Sequence, residues 1–550
     1  HFDKSKEFED KLRNTNKHEY IEKLNPSKFD GIQFHYVIQH DQKGLGHAIS
    51  LAEDLICDEP FAILLPDDLF FSDDIAGNIE KSESRTLDHA KCLFISGPTG
   101  RDELFLTLSK ELETTNKIDS TFLSLAHGSE DYFAQNGVLR NKIFSVDFEK
   151  EYPSLNVEYL EAKEKEYGFK LLDMWHVAAI RKKRRRQFSS EKVLRILEYH
   201  LRSFEKILSS NQFDYAFIIG ISEPRQVMIY KMLIAKGIPV LELVNARIPG
   251  RFTFDDALLS KWPMIFRKYE ELKKVGLSDE ARQKAMDFVS AFRDKPFKPD
   301  DSAPKKWNVK KVAKQLQYYA KVFSYRKRLP DLRQWIYTPF MDKALLHSSR
   351  FEMPVDGEKY VFFPLQTQPE ASTSVKGKWF MDQIDLIEKI SKSVPCGYKV
   401  YVKEHVWNYS RRPSDFHKKI KEFPNVRLIS PKAKTIEVIK KSSLVFTITG
   451  TVGWEAVLLQ KPVIVFGEVY YAHFDVVKRL FDLTQLPEAT EELLDSEMNL
   501  DDVLVCVSSM IQGSYIGIAA LPGDCQNRSL APDNMKLIAK GVQKYVAALE

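Results

Sequence analysis

The chain has 550 residues, of which 43% are hydrophobic and 29% charged, and its 81 Lys and Arg against 77 Asp and Glu leave a formal net charge of +4. This length predicts about two to four domains; the composition excludes a disordered chain, and no apolar run approaches the ~20 residues needed to span a bilayer. The five cysteines, Cys57, Cys92, Cys396, Cys506 and Cys525, are odd in number and not spaced as ligand pairs, which argues against a disulfide framework or a zinc site and for reduced thiols in a cytoplasmic protein.

In chain order, residues 1–32 carry helical spacing of Phe8, Leu12, Tyr20, Ile21 and Leu24. A strand at 32–38, the turn Gln42-Lys-Gly-Leu-Gly-His-Ala48, a helix at 48–56 and a buried strand at 61–65 ending in Pro66-Asp67-Asp68 make one βαβ unit. The polar stretch 72–85 reads as a linker. A strand at 91–96 then runs into Gly97-Pro-Thr-Gly100 and a helix at 103–112, the usual opening of a Rossmann-like domain. Its second strand is expected at 121–125, the region 148–208 is mostly helical, and alternation resumes with a strand at 215–219, a helix at 224–236 and a strand at 238–243. Within the helical region Arg181, Lys182, Lys183, Arg184, Arg185 and Arg186 form a dense cationic run. It reads as a solvated helix face or, more sharply, as a patch for anionic lipid or acidic glycan at the inner face of the membrane. No recognition module for nucleic acid accompanies it.

Residues 261–337 are helical and basic, broken by a proline-rich stretch at 295–304. A second α/β pattern follows: strands at 359–364, 398–403, 426–429, 444–448 and 463–466, with helices at 382–393, 414–423, 435–441 and 452–459 between them. The expected fold class is α/β, with a partial segment at 1–85, a first Rossmann-like domain with helical insertions at 86–345 and a second at 346–550.

Two stretches carry the clearest chemistry. In Phe446-Thr-Ile-Thr-Gly-Thr-Val-Gly-Trp-Glu-Ala456 an apolar strand delivers hydroxyls and glycines to the start of a helix, where backbone N–H groups favour phosphate. Thr449 and Thr451 can add hydroxyl donors, Gly450 and Gly453 allow close approach, and Glu455 can accept from sugar or ribose hydroxyls. The bland reading is an ordinary strand-to-helix turn. In Val400-Tyr-Val-Lys-Glu-His405 a strand releases Lys403, Glu404 and His405 at its carboxyl end, where open α/β sheets bind ligands. Lysine can neutralise phosphate, and histidine can donate to it or exchange a proton near pH 7.

Together these stretches resemble the C-terminal domain of the capsule polysaccharide biosynthesis family, bacterial glycosyltransferases of GT-B type that include Kdo transferases. The shared elements are Lys403-Glu-His405, Thr449 to Ala456, Lys461-Pro-Val463 and Phe466-Gly467, with Val406 where the family has proline. The resemblance extends through Phe363-Pro-Leu-Gln-Thr-Gln-Pro-Glu370 and, more weakly, through 91–100 and 214–251 with Gly220 and Asn245-Ala-Arg-Ile-Pro-Gly-Arg251. It implies two Rossmann-like domains in GT-B arrangement, a nucleotide-sugar donor (CMP-Kdo, by analogy with sialyltransferase-like folds), a glycan or glycolipid acceptor, and no metal required for the chemistry. It also implies catalytic roles for His405 and Glu404, donor binding by Lys403, Thr449, Gly450, Thr451, Gly453, Glu455 and Gly467, and an acceptor side with Gly97, Gly100, Glu223 and Arg247. Glu223, Asp102 and Glu370 are the candidates for the base.

The N-terminal segment resembles the middle of bacterial UTP–glucose-1-phosphate uridylyltransferase in His1-Phe-Asp3, the 42–48 turn, Asp58-Glu-Pro60 and Leu64-Leu-Pro-Asp-Asp68. The resemblance implies that Lys43, Gly44 and Gly46 derive from a nucleotide site and Asp67 from a magnesium and substrate site. It does not include that family's triphosphate loop or sugar-binding half, so uridylyltransferase activity, and with it any need for magnesium, is not expected. Two rivals to the glycosyltransferase reading remain: a nucleotidyltransferase, and a non-catalytic capsule biosynthesis or export-coupling protein that binds glycan without turnover.

Overall fold

The computed structural model describes residues 86–97, 102–126, 128–181, 188–294, 351–368, 370–405, 412–413, 415–519 and 526–549. The βαβ unit with Lys43, Gly44, Gly46 and Asp67, the glycine Gly100, the cationic residues 182–186 and the stretch 295–350 lie outside the described residues.

The first half is built on β1 (Lys91–Ser96), β2 (Asp119–Ser124), β3 (Ile143–Ser145), β4 (Tyr215–Ile218), β5 (Val240–Asn245) and β6 (Arg251–Asp255). The first five are parallel in the order β3-β2-β1-β4-β5, and β6 turns back antiparallel on β5. β1 is apolar without alternation because helices cover both faces of a parallel sheet. Phe94 lies between Phe122 of β2 and Phe217 of β4, with ring centroids 5.4 and 4.7 Å away.

The second half contains β7 (Tyr360–Pro364), β8 (Lys399–Lys403), β9 (Val426–Ile429), β10 (Leu444–Thr447), β11 (Val463–Val465) and β12 (Lys478–Arg479), all parallel in the order β12-β11-β10-β7-β8-β9. Both sheets therefore follow the doubly wound Rossmann order, and each reverses direction at one point, between β1 and β4 and between β7 and β10. Ligands of such sheets lie in the crevice beyond the strand carboxyl ends at that reversal.

The expected boundary near residue 346 does not separate the halves. The short strand β13 (Tyr515–Ile516) pairs antiparallel with β6, and the helix Pro532–Ala547 returns to the first half. Its apolar face, Met535, Ile538, Val542 and Tyr545, packs with Leu104, Leu108 and Phe254, and Tyr545 stacks on Phe254 at 4.0 Å. Conversely, the helices Pro263–Val275 and Asp279–Asp294 pack on Leu500–Gln512 and join the second half's core. Their buried stripes, Ile265, Tyr269, Leu272 and Ala285, Val289, Phe292, repeat at four and three residues. Such a face must be covered by whichever surface it reaches, and composition along the chain does not say which. Among the described residues no helix is long and apolar enough to cross a membrane.

The crossing of Leu500–Gln512 with Pro263–Val275 is close enough to be tested at Gly513. A methyl group there would sit 2.6 Å from Ile265 Cα and 2.8 Å from the Met264 carbonyl, both main-chain atoms that cannot swing aside. Gly513→Ala is expected to destabilise the protein by about 1–3 kcal/mol through overpacking. Calorimetry should therefore show a lower Tm; an unchanged Tm would contradict this packing.

Candidate functional site

The crevice at the second sheet's reversal is formed by the chain leaving β7, β8 and β10. After β7, the Leu365 N–H donates to the Lys403 carbonyl at 2.8 Å, and Gln366 Nε2 donates to Thr447 Oγ1 at 3.1 Å. Thr449 Oγ1 lies 3.0 Å from Gln366 Oε1 and 3.1 Å from the Ser372 carbonyl, and the Gly450 N–H donates to Thr447 Oγ1 at 3.0 Å. The Tyr471 hydroxyl donates to the Gly450 carbonyl. Thr449, expected as a hydroxyl donor to the ligand, and Gly450, expected to let the ligand approach the backbone, are thus bonded within the protein. The glycines follow the same logic: a Cβ on Gly453 would strike the Tyr471 ring, and one on Gly467 would lie 2.7 Å from Thr449 Cγ2. Their small size lets the walls of the crevice close on each other. Thr451 stays exposed at the N-cap of the helix Val452–Leu458, and Glu455 lies in that helix's first turn.

Strand β8 ends in three polar residues that do not face the same way, as strand alternation dictates. Glu404 is 1% exposed. Its carboxylate accepts from the His405 N–H at 2.8 Å, from Arg412 Nε at 3.1 Å and Nη2 at 3.3 Å, and lies 3.0 Å from His417 Nε2. Burial alone would raise its pKa; His417, Arg412 and the His405 N–H outweigh that and hold it below the usual carboxylate range. Glu404, expected as catalytic, is therefore a buried anchor beneath the crevice. Arg412 extends the anchor to β7, donating to the Gln366 carbonyl at 2.8 Å and to Gln368 Oε1 at 3.1 Å.

On either side of this anchor, Lys403 is half-buried and His405 is exposed. Burial pushes the Lys403 ammonium down to about 8, against the opposing pull of Glu404 and Glu455. Burial pushes the Glu455 carboxyl up to about 7, opposed by the cations Arg247 and Lys403. The His405 imidazole is also lowered, first by the protein around it and then by Lys403 and Arg412, with Glu404 opposing. Its Nδ1 lies 3.1 Å from Thr367 Oγ1. Gln366 and Thr367 directly follow a strand end and were open to the same positional argument as Lys403; Arg412 and His417 have no local signal, because only the fold brings them under β8.

The first half contributes Arg247, exposed on the turn between β5 and β6, whose charge acts on Glu455, Tyr470 and Tyr471 across the joint. Its neighbour Ile248 is buried in the core cluster that contains Trp454 and Tyr470. Other expected first-half residues are engaged elsewhere. Gly97 leaves room for Gln226, whose Nε2 donates to the Gly220 carbonyl at 2.8 Å. Glu223 pairs with Arg225 at 2.6 Å in a buried position, and Asp102 accepts from Ser129 Oγ at 2.6 Å. Of the three expected bases, Glu370 is the one exposed beside the crevice, two residues before the carbonyl that meets Thr449.

The halves are tied at the same place. Lys376 Nζ bridges to Asp255 Oδ2 at 3.1 Å and to Ser260 Oγ, and Lys378 Nζ meets Asp173 Oδ2 at 2.5 Å. Trp262 stacks on Tyr470 at 4.0 Å and 5°. Burial raises the Asp255 carboxyl to about 6, with Lys376 opposing. Among the described residues no group of three or more His, Cys, Asp and Glu is arranged to hold a metal ion.

In comparison with known proteins, the N-terminal segment is similar to UTP–glucose-1-phosphate uridylyltransferases. The match is 49% identical over 73 residues to that of Staphylococcus epidermidis and 48% over 69 residues to that of Pseudomonas aeruginosa. These matches cover 13% and 12% of this chain and 25% and 24% of those proteins, so the chain spans about a quarter of the length of the curated relatives it matches. Among solved structures, Thermosulfurimonas dismutans KpsC, a β-Kdo 2,7 transferase, is 13% identical with a TM-score of 0.31, covering 56% of this chain and 80% of that one. The UDP-GlcNAc 2-epimerase from Neisseria meningitidis bound to UDP-GlcNAc is 13% identical with a TM-score of 0.27, covering 77% and 98%. Residues 299–478, a span that holds Gln366, Thr367, Lys403, His405, Glu455 and Gly467, match the family described as capsule polysaccharide biosynthesis protein.

Proposed function

We propose that the crevice beyond β7, β8 and β10 binds a nucleotide-sugar and that the chain is a glycosyltransferase of capsule or surface polysaccharide biosynthesis. One observation carries this reading: Lys403 and His405 at the end of β8, and Glu455 after β10 with its charge acting on Lys403, lie beyond the strand ends beside the reversal of a Rossmann-ordered sheet, inside the span that matches the capsule polysaccharide family. The finer donor we propose is CMP-Kdo, and the acceptor a glycan or glycolipid.

In this mechanism Lys403 and His405 stabilise the charge that develops on the leaving phosphate. When the Thr367 hydroxyl donates to Nδ1 of His405, 3.1 Å away, the imidazole proton sits on Nε2 and is available to a phosphate oxygen. Glu455 accepts from a sugar or ribose hydroxyl, and Arg247 approaches from the acceptor half, so the donor and acceptor sides are held in register rather than meeting by diffusion. Glu404, Arg412 and His417 act through position alone.

Nucleotide thermal shift tests the reading directly. A nucleotide at about 100 times its Kd adds about 2.7 kcal/mol of stability, and CMP is expected to stabilise the protein more than UDP or GDP. His405→Ala and Lys403→Met should each weaken CMP by roughly 10–100-fold, the weight of one hydrogen bond to a charged group. No stabilisation by any nucleotide would favour the non-catalytic binding protein, and pyrophosphate release from UTP with glucose 1-phosphate would favour the nucleotidyltransferase.

The two shifted groups also set a pH dependence. As pH rises through about 7, Glu455 gains a negative charge, and through about 8 Lys403 loses a positive one, so both steps disfavour an anion. CMP affinity measured by calorimetric titration from pH 6 to 9 should therefore fall in two stages, with Glu455→Gln removing the first and Lys403→Met the second. A profile flat across this range would overturn the assignment of both.

Arg412→Met strips the main cation from a fully buried carboxylate. It is expected to lower stability by about 3–5 kcal/mol, read by denaturant unfolding, while Arg412→Met combined with Glu404→Gln recovers part of the loss. Equal stability of the single variant and wild type would show that Glu404 is satisfied without Arg412.

A further inference from the structure

We infer that the indole of Trp379 is a platform on which a pyranose ring of a glycan stacks at the mouth of the joint between the halves. The inference takes from the glycosyltransferase reading only the name of that glycan as acceptor; the binding itself stands apart. Trp379 is 79% exposed. Its surroundings are nevertheless rigid: Lys378 is tied to Asp173 of the first half, and Phe380 is buried with its ring 5.5 Å from that of Phe466. The backbone that carries the indole is thus anchored on both sides, which lowers the ordering cost on binding.

Its position is beside the crevice. The segment from Ser372 to Lys378 forms a wall of it: the Ser372 carbonyl meets Thr449, a Cβ on Gly467 would lie 3.0 Å from the Lys376 carbonyl, and one on Gly377 would strike Ile448. Two further exposed apolar side chains, Leu172 at 53% and Leu259 at 49%, are sequence neighbours of the first-half residues Asp173 and Ser260 that receive Lys378 and Lys376. Exposed apolar side chains therefore stand next in sequence to the polar residues that tie the halves.

That texture fits a sugar better than a bilayer. A pyranose presents an apolar C–H face bordered by hydroxyls, matching an indole flanked by a half-exposed carboxylate and ammonium, Asp173 and Lys378, with 41% and 36% of their side-chain surface open. Lys378 Nζ also lies 4.9 Å from the indole centroid. The Lys376–Asp255 and Lys378–Asp173 pairs are each neutral in sum, so they offer an anionic leaflet no net attraction and would resist its apolar depth.

The test uses the full chain and three proteins: wild type, Trp379→Ala and Trp379→Phe. Saturation-transfer NMR with cellohexaose and with α2,8-linked hexasialic acid reads glycan binding, sedimentation with phosphatidylcholine vesicles with and without phosphatidylglycerol reads membrane binding, and CMP thermal shift reads the nucleotide site. At least one oligosaccharide should bind wild type, weaken about tenfold in Trp379→Ala, as one stacked aromatic contact predicts, and recover in Trp379→Phe, while the CMP response stays equal in all three. Absence of binding by both oligosaccharides, equal binding by wild type and Trp379→Ala, or a Trp379 effect confined to vesicles would each overturn the inference. Loss of the CMP response in wild type with ring-dependent glycan binding retained would instead remove the glycosyltransferase reading and leave this one standing.

Discussion

A carboxylate that is fully buried has to be satisfied on every side, and the second half is arranged around meeting that demand for Glu404. Its partners come from three places in the chain: the backbone N–H of His405, the guanidinium of Arg412 and the ring of His417. Because Arg412 also holds the Gln366 carbonyl, one buried charge fixes the loops after β7 and β8 against each other. Lys403 and His405 then emerge on the crevice side as neighbours of a residue that cannot move. The site's electrostatics depend on this rigidity, since a half-buried ammonium and a half-buried carboxyl shift as far as they do only when nearby groups cannot relax to solvate them.

The second constraint is the interlocking of the halves. Each half completes its core with helices drawn from elsewhere in the chain: Pro263–Val275 and Asp279–Asp294 serve the second sheet, while Pro532–Ala547 serves the first. Around that exchange the joint is polar and aromatic, with Lys376 reaching Asp255 and Trp262 stacked on Tyr470. Arg247 acts on Glu455 through this joint, so the charge environment of the crevice belongs to both halves.

Much of this was legible in the residue order, and the reasons differ by element. Strands β1, β7, β8 and β10 stand out as short apolar runs bounded by turn residues because parallel strands covered on both faces have no polar side to show. The crevice was legible for the same reason: polar residues released at strand ends are placed by topology. By contrast, β3, β12 and β13 are edge strands of two or three residues and β6 runs antiparallel between β5 and β13, and none was anticipated. Glu404 reads as an active carboxylate in a Lys-Glu-His run, since alternation on one strand does not reveal which face is covered until Arg412 and His417 arrive from downstream. Thr449 and the glycines near it looked like ligand contacts because small residues serve close packing and close ligand approach equally well.

The antiparallel pairing of β13 with β6 has an implication for how the chain is made. Residues 515–516 are translated more than 250 positions after β6, so during synthesis the edge of the first sheet stays open, with Phe252 and Phe254 uncovered, until β13 has left the ribosome. An unpaired strand edge beside exposed aromatics is a template for association with other chains. The first half is therefore open to misassembly in the nascent protein, and the helix Pro532–Ala547 acts as the closure that ends that exposure.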